Sequence, residues 1–233
     1  MPEPTTPPPL PAIAGDAGLP GRRRALSHLA SLPWLSLAPL SLATPRPAPA
    51  HPVTPLRLTP AQTEGPFYPV RLPADTDFDL LRQGSRSYRT TRVAWLSGQV
   101  TDVQARPLAG CTVEIWQCDE AGHYHHPGDG DRADPDFQGY GQVLTDAQGR
   151  FRFRTLRPAP YSGRTPHIHL KLRQGRQALL TTQLYVAGDP DNARDGLWRR
   201  LSAPDQAALT LPFRPGPEGL QADCHLVVPA PAA

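Results

Sequence analysis

The sequence predicts an all-β protein: an antiparallel β-sandwich with long active-site loops and a disordered N-terminal arm. Three observations predict it. Apolar and polar residues alternate in short runs, separated by turn signals such as Asp146-Ala147-Gln148-Gly149 and Gln174-Gly175-Arg176. No long stretch repeats its apolar residues with the 3.6-residue period of a helix. The prolines crowd at one end, 15 of the 31 lying in the first 60 residues, where missing N–H donors and fixed φ angles bar regular structure.

The arm comes first. Residues 1–20 are rich in Pro, Ala, Gly and Thr and read as disordered. Arg22, Arg23 and Arg24 then precede a weakly apolar run, residues 26–43, interrupted by His28, Pro33 and Pro39. That run is too short and weak for a stable membrane span. With Ala48-Pro49-Ala50 beyond it, the pattern matches a twin-arginine export signal with a small-residue cleavage site. Residues 1–50 are therefore expected to carry export to the periplasm or cell exterior, and residues 51–233 to form the β-sandwich. The two prolines inside the run keep a plain arm on a cytoplasmic protein as the alternative.

Charge and cysteines exclude several classes. Of the formal charge of +3, the arm carries two units, so the body is near neutral and has no field suited to nucleic acid or anionic membranes. Three cysteines are too few for a disulfide scaffold. Cys111 and Cys118, on one strand, face opposite ways, so at least one isolated buried thiol is expected.

The body begins with a turn-rich stretch, Thr63-Glu64-Gly65-Pro66-Phe67-Tyr68-Pro69, whose two aromatics are placed to line a mouth. Residues 93–100 alternate as a strand, with Gly98 a bulge or a point of close approach. Residues 102–109 hold a turn, and residues 111–118 form the next strand with Cys111, Val113 and Ile115 on one face. The polar, Gly-rich loop 119–141 is too long for a mere connector and carries His123, Tyr124, His125 and His126. Residues 141–145 and 151–154 then read as a hairpin, Phe151 and Phe153 inward. Residues 167–172 and 178–186 read as a second antiparallel pair, and residues 222–228 as the last strand. Short helical turns are expected only near residues 195–201 and 204–209.

Tyr161 to His169 is the stretch with the most chemistry. In a strand, residues i and i+2 share a face, so His167 and His169 project two imidazoles into one pocket while Ile168, Leu170 and Leu172 face the core. Pro166, lacking an N–H, suits the position just before the strand. Tyr161 and Arg164 sit on the approach to it.

These residues, taken in order, resemble the intradiol ring-cleaving catechol dioxygenases, and among them the iron-bearing chain of protocatechuate 3,4-dioxygenase. The resemblance is carried by Glu64-Gly65-Pro66, Glu114-Ile115-Trp116-Gln117, Gly122-His123-Tyr124, Pro160-Tyr161, Arg164 with Pro166-His167-Ile168-His169, and Thr182-Gln183-Leu184-Tyr185. It implies a non-haem Fe(III) cofactor held by Tyr124, Tyr161, His167 and His169. It implies that Tyr161 leaves the metal when substrate binds, and that Arg164 stabilises the activated substrate. Gln183, Tyr185, Gly65 and Pro66 are implied as the substrate pocket. The implied reaction cleaves a catechol with O2 to a cis,cis-muconate-type diacid. The implied partners are that small molecule and O2, with a homo-oligomer possible in the family. The family's catechol and hydroxyquinol branches carry an N-terminal helical dimerisation segment, which is not expected here.

The donor chemistry agrees with the implied metal. A free phenol ionises near pH 10 and ligates as an anion only beside a highly charged cation. Two phenolates are hard donors that favour Fe(III), whereas zinc prefers thiolate or imidazole. Two alternatives stand beside this reading. A non-catalytic, prealbumin-like β-sandwich binding module fits the strand pattern of residues 93–156 but requires neither the tyrosines nor the His-x-His pair. An Fe(II) cupin wants a glutamate shortly after the histidines, and residues 170–177 contain none.

Overall fold

Alternation within short strands is satisfied by two sheets packed face to face. The structure, a computed structural model, describes residues 54–230, so the export-signal reading of residues 1–50 lies outside the described residues. A small hairpin, β1 (Arg82–Gln83) with β2 (Arg86–Ser87), precedes the sandwich. The main strands are β3 (Val93–Asp102), β4 (Thr112–Trp116), β5 (Tyr140–Leu144), β6 (Arg150–Leu156), β7 (His167–Gln174) and β8 (Gln177–Val186). After them come β9 (Thr210–Leu211), β10 (Arg214–Gly216) and β11 (Gly219–Val228). One sheet has the order β10-β11-β3-β6, the other β5-β4-β7-β8-β9. The core between them takes Leu96 and Val100 from β3, Phe151 and Phe153 from β6, Val113 and Ile115 from β4, and Ile168, Leu170 and Leu172 from β7. Each set lies on alternate positions of its strand, Gly98 standing between Leu96 and Val100 in β3, as the period of two requires.

The sandwich expectation holds, and the two expected helical turns are present as a 3-10 turn at Trp198–Arg200 and a helix, α1, at Ala203–Leu209, but further 3-10 turns at Pro127–Asp129 and Pro190–Arg194 lie outside the expected places. Cys111 and Cys118 are buried, free thiols. No helix among the described residues is long and apolar enough to cross a membrane.

Two expectations are corrected. The strands around Asp146–Gly149 form no hairpin: β5 pairs with β4, and β6 pairs with β3 in the other sheet. The turn itself is present, Gly149 N donating to Asp146 O at 2.9 Å. It is pressed against β3, however. Val100 N donates to Gly149 O at 2.8 Å, so the chain leaves the turn already committed to the opposite sheet. The sandwich is also not antiparallel throughout, because β11 runs parallel to β3 and β8 parallel to β9. Neither pair is joined by a tight turn. The segment between β8 and β9, containing both 3-10 turns and α1, is the crossover a parallel pair needs.

Close approach is the rule at two glycines. Gly98 makes no bulge and pairs with Phe151, and a Cβ there would lie 2.4 Å from the Phe151 ring. At Gly149 a Cβ would lie 2.4 Å from Val100 O, and the residue has φ +72°. Gly149→Ala is therefore expected to cost about 2 kcal/mol or more, from left-handed backbone strain and a clash with backbone that cannot swing aside. Urea unfolding checks this, and a loss below about 0.5 kcal/mol, the level of a neutral surface change, would contradict it.

What positions the site is the face of the five-stranded sheet turned away from the core. Register places Tyr140 opposite Trp116, Trp116 opposite His169, and His169 opposite Gln183, one row across four strands. A strap covers this face. It starts beside β11, where Thr59 N donates to Val227 O at 2.9 Å, and crosses the edge of β8, where Gln62 N donates to Thr181 O at 2.8 Å. It then lies over the row: Gln183 Nε2 donates to Thr63 O at 3.0 Å, Lys171 Nζ pairs with Glu64 at 2.5 Å, and Tyr68 Oη donates to Glu114 at 2.7 Å.

Candidate metal centre

His167 and His169 share the covered face of β7, as their spacing predicts, and both are fully buried. Their Nε2 atoms stand 3.2 Å apart. His167 Nδ1 lies 2.6 Å from Thr165 O. A carbonyl only accepts, so Nδ1 carries the proton and Nε2 keeps its lone pair facing His169. The His169 ring lies flat on Trp116, centroids 4.8 Å apart and planes 8° apart. On its other side the strap approaches so closely that a Cβ on Gly65 would stand 3.2 Å from His169 Cε1.

Tyr124 arrives from the long loop. Two aspartates fold that loop back on the sheet: Asp119 accepts from the backbone N–H groups of Ala121, His123 and Asp134, and Asp129 accepts from Tyr124 N at 2.8 Å. Tyr124 is thereby buried, and its Oη has no hydrogen-bond partner. Its ring stacks on Phe67 at 4.8 Å and meets Tyr161 edge-on at 5.0 Å. The Tyr161 ring in turn lies 5.4 Å from that of His167, and Tyr124 lies 6.1 Å from His169. Phe67 thus lines the site as the sequence anticipated. The other loop histidines do not join it. His123 stands 3.5 Å from Asp129, His125 contacts Phe137 O, and His126 caps a short turn by accepting from Gly128 N.

Tyr161 and Arg164 bound a two-residue turn. Arg164 N donates to Tyr161 O at 2.7 Å, and the central residues Ser162 and Gly163 have φ +42° and +76°. Two positive φ angles are what a tight reversal of this hand requires, and they bring the Arg164 side chain back beside Tyr161. Its Nε then donates to Asp195 at 2.6 Å and a terminal nitrogen donates to Gln183 Oε1 at 2.6 Å. Gln183 and Tyr185, expected in the substrate pocket, are fully buried. Gln183 holds Arg164 and the strap, and Tyr185 Oη donates to Gln62 at 2.8 Å. Gly65 and Pro66 lie in the strap over His169.

Sequence reasoning missed two side chains of this site, Asp195 and the stacking role of Trp116. A guanidinium held near a buried centre requires a carboxylate, but no local pattern singles out Asp195, which lies 31 positions beyond Arg164. Burial alone would raise the Asp195 carboxyl. The hydrogen bond and charge of Arg164, with the N–H groups of Trp198 and Thr165, outweigh it and hold Asp195 below its ordinary value. A carboxylate so depressed stabilises the fold fully above its ordinary value near pH 3.9, and that stabilisation is lost as pH falls through the folded value. Asp195→Asn is accordingly expected to lower stability at neutral pH by about 3 kcal/mol, the cost of breaking a buried pair, and to flatten the acid limb. Urea midpoints from pH 7 to pH 2 test this; an unchanged acid limb would contradict it.

The four donors differ in what they need. Burial pushes both imidazoles down, His167 to about 4 with the charge of Arg164 aiding, and His169 with His167 and Arg164 aiding, so they are neutral at pH 7. Burial pushes the Tyr124 phenol well above its ordinary value, and it raises Tyr161 as well despite the opposing charge of Arg164. Among the described residues no three His, Cys, Asp or Glu side chains gather as a metal site. The side-chain donors that stand beside the two imidazoles are therefore the phenol oxygens. The geometry fits a cation: two nitrogens each about 2.1 Å from a single cation, at about 100° to each other, stand about 3.2 Å apart, the separation of the two Nε2 atoms. A cation would also supply the missing partner of Tyr124 Oη.

Comparison with known proteins bears directly on this constellation. Residues 63–206 match the family model described as dioxygenase. The chain is 32% identical over 163 residues to the protocatechuate 3,4-dioxygenase beta chain of Burkholderia cepacia, covering 65% of this chain and 69% of that one. It is 31% identical over 152 residues to the catechol 1,2-dioxygenase of Candida albicans, covering 58% of this chain but only 49% of the relative. Among solved structures, the dioxygenase domain of a dioxygenase carbohydrate-binding protein fusion from a cellulolytic Streptomyces superposes with a TM-score of 0.59 at 31% identity, over 75% of this chain and 100% of that one. The matched span contains both histidines, both tyrosines, Arg164 and Asp195, and on that ground the chain belongs to the intradiol ring-cleavage dioxygenases, a family of oxidoreductases.

Proposed function

We propose that this protein uses a non-haem Fe(III) ion held by Tyr124, Tyr161, His167 and His169 to cleave a catechol-type diol with O2 into a cis,cis-muconate-type diacid. The convergence of two neutral imidazoles and two buried phenols on one covered sheet face carries the reading. Bound there, the ferric ion supplies the charge that ionises the phenols and prepares the diol for oxygen. The remaining work falls to the chain.

Tyr161 is the phenol set beside open space, for a cavity of about 360 Å3 is lined by Pro160, Tyr161, Ser162, Gly163, Arg164 and neighbouring residues. The diol enters from that side, and Tyr161 Oη takes a proton from one of its hydroxyls. Arg164, fixed in charge and aligned by Asp195 and Gln183, faces the ring where negative charge develops and stabilises it. Tyr124, under Phe67 and without access to bulk water, stays in place. The near-neutral body offers no field for a doubly charged acid, which favours catechol or a simply substituted catechol over protocatechuate.

Oxygen uptake on a panel of catechols, with mass analysis of products formed under labelled O2, tests the reaction. A muconate-type diacid bearing both labelled atoms is expected, from a protein whose visible colour comes from tyrosinate-to-iron charge transfer. A semialdehyde product, or a colourless protein holding stoichiometric zinc, would overturn the assignment. Export through the paired arginines belongs to the same proposal, on sequence alone. Replacement of Arg23 and Arg24 by lysine is expected to block export, and an unchanged compartment would refute it.

A further inference from the structure

Phe67 shields Tyr124 only while the strap stays down, so whatever holds the strap sets the order of the centre. The residues that hold it lie on the same covered face, one row along from the donors. There the register places Gln142 opposite Glu114, and Glu114 opposite Lys171. Tyr68 Oη donates to Glu114 Oε2 at 2.7 Å, and Lys171 Nζ pairs with Glu64 at 2.5 Å. The two contacts are tied together, for Lys171 Nζ also stands 4.4 Å above the Tyr68 ring. Between the anchors Glu64 and Tyr68 lie Gly65, Pro66 and Phe67, with Gly65 against His169 and Phe67 against Tyr124.

Cover alone does not call for charge in this row. Glu114 is 1% exposed, and a carboxylate is costly to bury unless it is paired. Apolar side chains would hold the strap at less cost but let it slide, whereas an ion pair and a hydrogen bond fix its register. Burial, with the hydrogen bond and charge of Glu114, pushes the Tyr68 phenol up to about 12, so it remains a donor. Arg173, 3.3 Å from the other carboxylate oxygen, balances the charge of Glu114. Lys171 is the only lysine among the 24 Lys and Arg residues of the chain. Its compact ammonium sits between Glu64 and the face of Tyr68, a place where a guanidinium is not an equivalent.

We propose that Lys171 and Glu114 are positioning residues: through Glu64 and Tyr68 they clamp the strap on both sides of Gly65-Pro66-Phe67, which keeps Tyr124 in place and leaves Tyr161 the phenol that moves. The clamp stands on these contacts alone. Its consequence for the two phenols rests on the proposed metal site.

Tyr68→Phe and Lys171→Met each remove one anchor and spare all four proposed ligands. Chymotrypsin cleaves after Phe67 only once the strap has lifted, so the rate follows the open population. In both variants of the full-length protein, cleavage after Phe67, read by mass spectrometry, is expected to accelerate about tenfold or more, the effect of losing a bond to a charged group. In the iron-loaded protein under nitrogen, the tyrosinate-to-iron band is expected to shift in both variants with iron content unchanged. Gly149→Ala, which lowers stability at a turn against Val100, is expected to change neither reading. A cleavage rate within about twofold of the parent's in either variant would overturn the proposal. So would faster cleavage with an unmoved band, because the strap would then not govern Tyr124, or a Gly149→Ala protein that reproduces both changes. A parent protein with no such band sinks the proposed metal site instead, and the cleavage rates then decide the clamp.

Discussion

His167→Ala and His169→Ala are each expected to leave the protein folded and without iron. His167 lends the centre more than a nitrogen. Its Nδ1–H is committed to Thr165 O, and burial keeps the ring neutral, so its Nε2 lone pair is ready at any pH above about 4. Loss of either imidazole does not leave a weaker three-ligand site, because the remaining donors are coupled. Tyr124 and Tyr161 are phenols raised by burial, and they ionise only in the field of a tightly held cation. A cation held by one imidazole competes poorly for their protons, so the phenolates go with it. Metal content should fall from one iron per chain to below about a tenth, and turnover by more than about a thousandfold, because metal and ligand ionisation are linked. Metal analysis beside circular dichroism measures this. A variant that keeps one iron per chain and its colour would remove that histidine from the ligand set.

Arg164→Ala is expected to separate chemistry from metal binding. The guanidinium is not among the proposed ligands; it is held by Asp195 and Gln183 beside Tyr161. Its charge should favour the charged transition state over the bound diol, so turnover should fall about 100- to 1,000-fold while iron and the starting colour persist. The substitution also strands the fully buried Asp195 carboxylate, which costs about 3–5 kcal/mol when such a pair is broken. Lost activity could then reflect lost fold. Arg164→Ala combined with Asp195→Ala resolves this, since removing both partners restores stability without restoring the charge at the ring. If the double variant regains turnover as well as stability, Arg164 serves the fold and not the reaction.

Much of this centre is legible along the chain, because strand geometry is a local property. A period of two follows from the backbone dihedrals of the strand itself. It alone puts His167 and His169 on one face and Ile168, Leu170 and Leu172 on the other, and it sends Phe151 and Phe153 into the core wherever β6 is placed. The turn chemistry at Asp146–Gly149 is local for the same reason: it depends on one hydrogen bond and a glycine able to adopt φ +72°. The roles proposed for Tyr124, Tyr161 and Arg164 rest instead on the family resemblance, which short motifs in fixed order carry.

Tertiary structure alone decided which strand lies beside which. A turn reverses the chain without naming its partner, so β5 and β6 could separate into different sheets once Gly149 docked on Val100. Strand direction was equally free for β11, whose separation from β3 along the chain is too great for any turn to impose it. The remote partnerships share that origin. Asp195 under Arg164, Trp116 flat on His169, and the strap over Gln183 each join residues far apart in sequence. Local periodicity assigns a side chain to a face. Its neighbour on that face is chosen by the burial and hydrogen-bond demands of the whole chain satisfied at once.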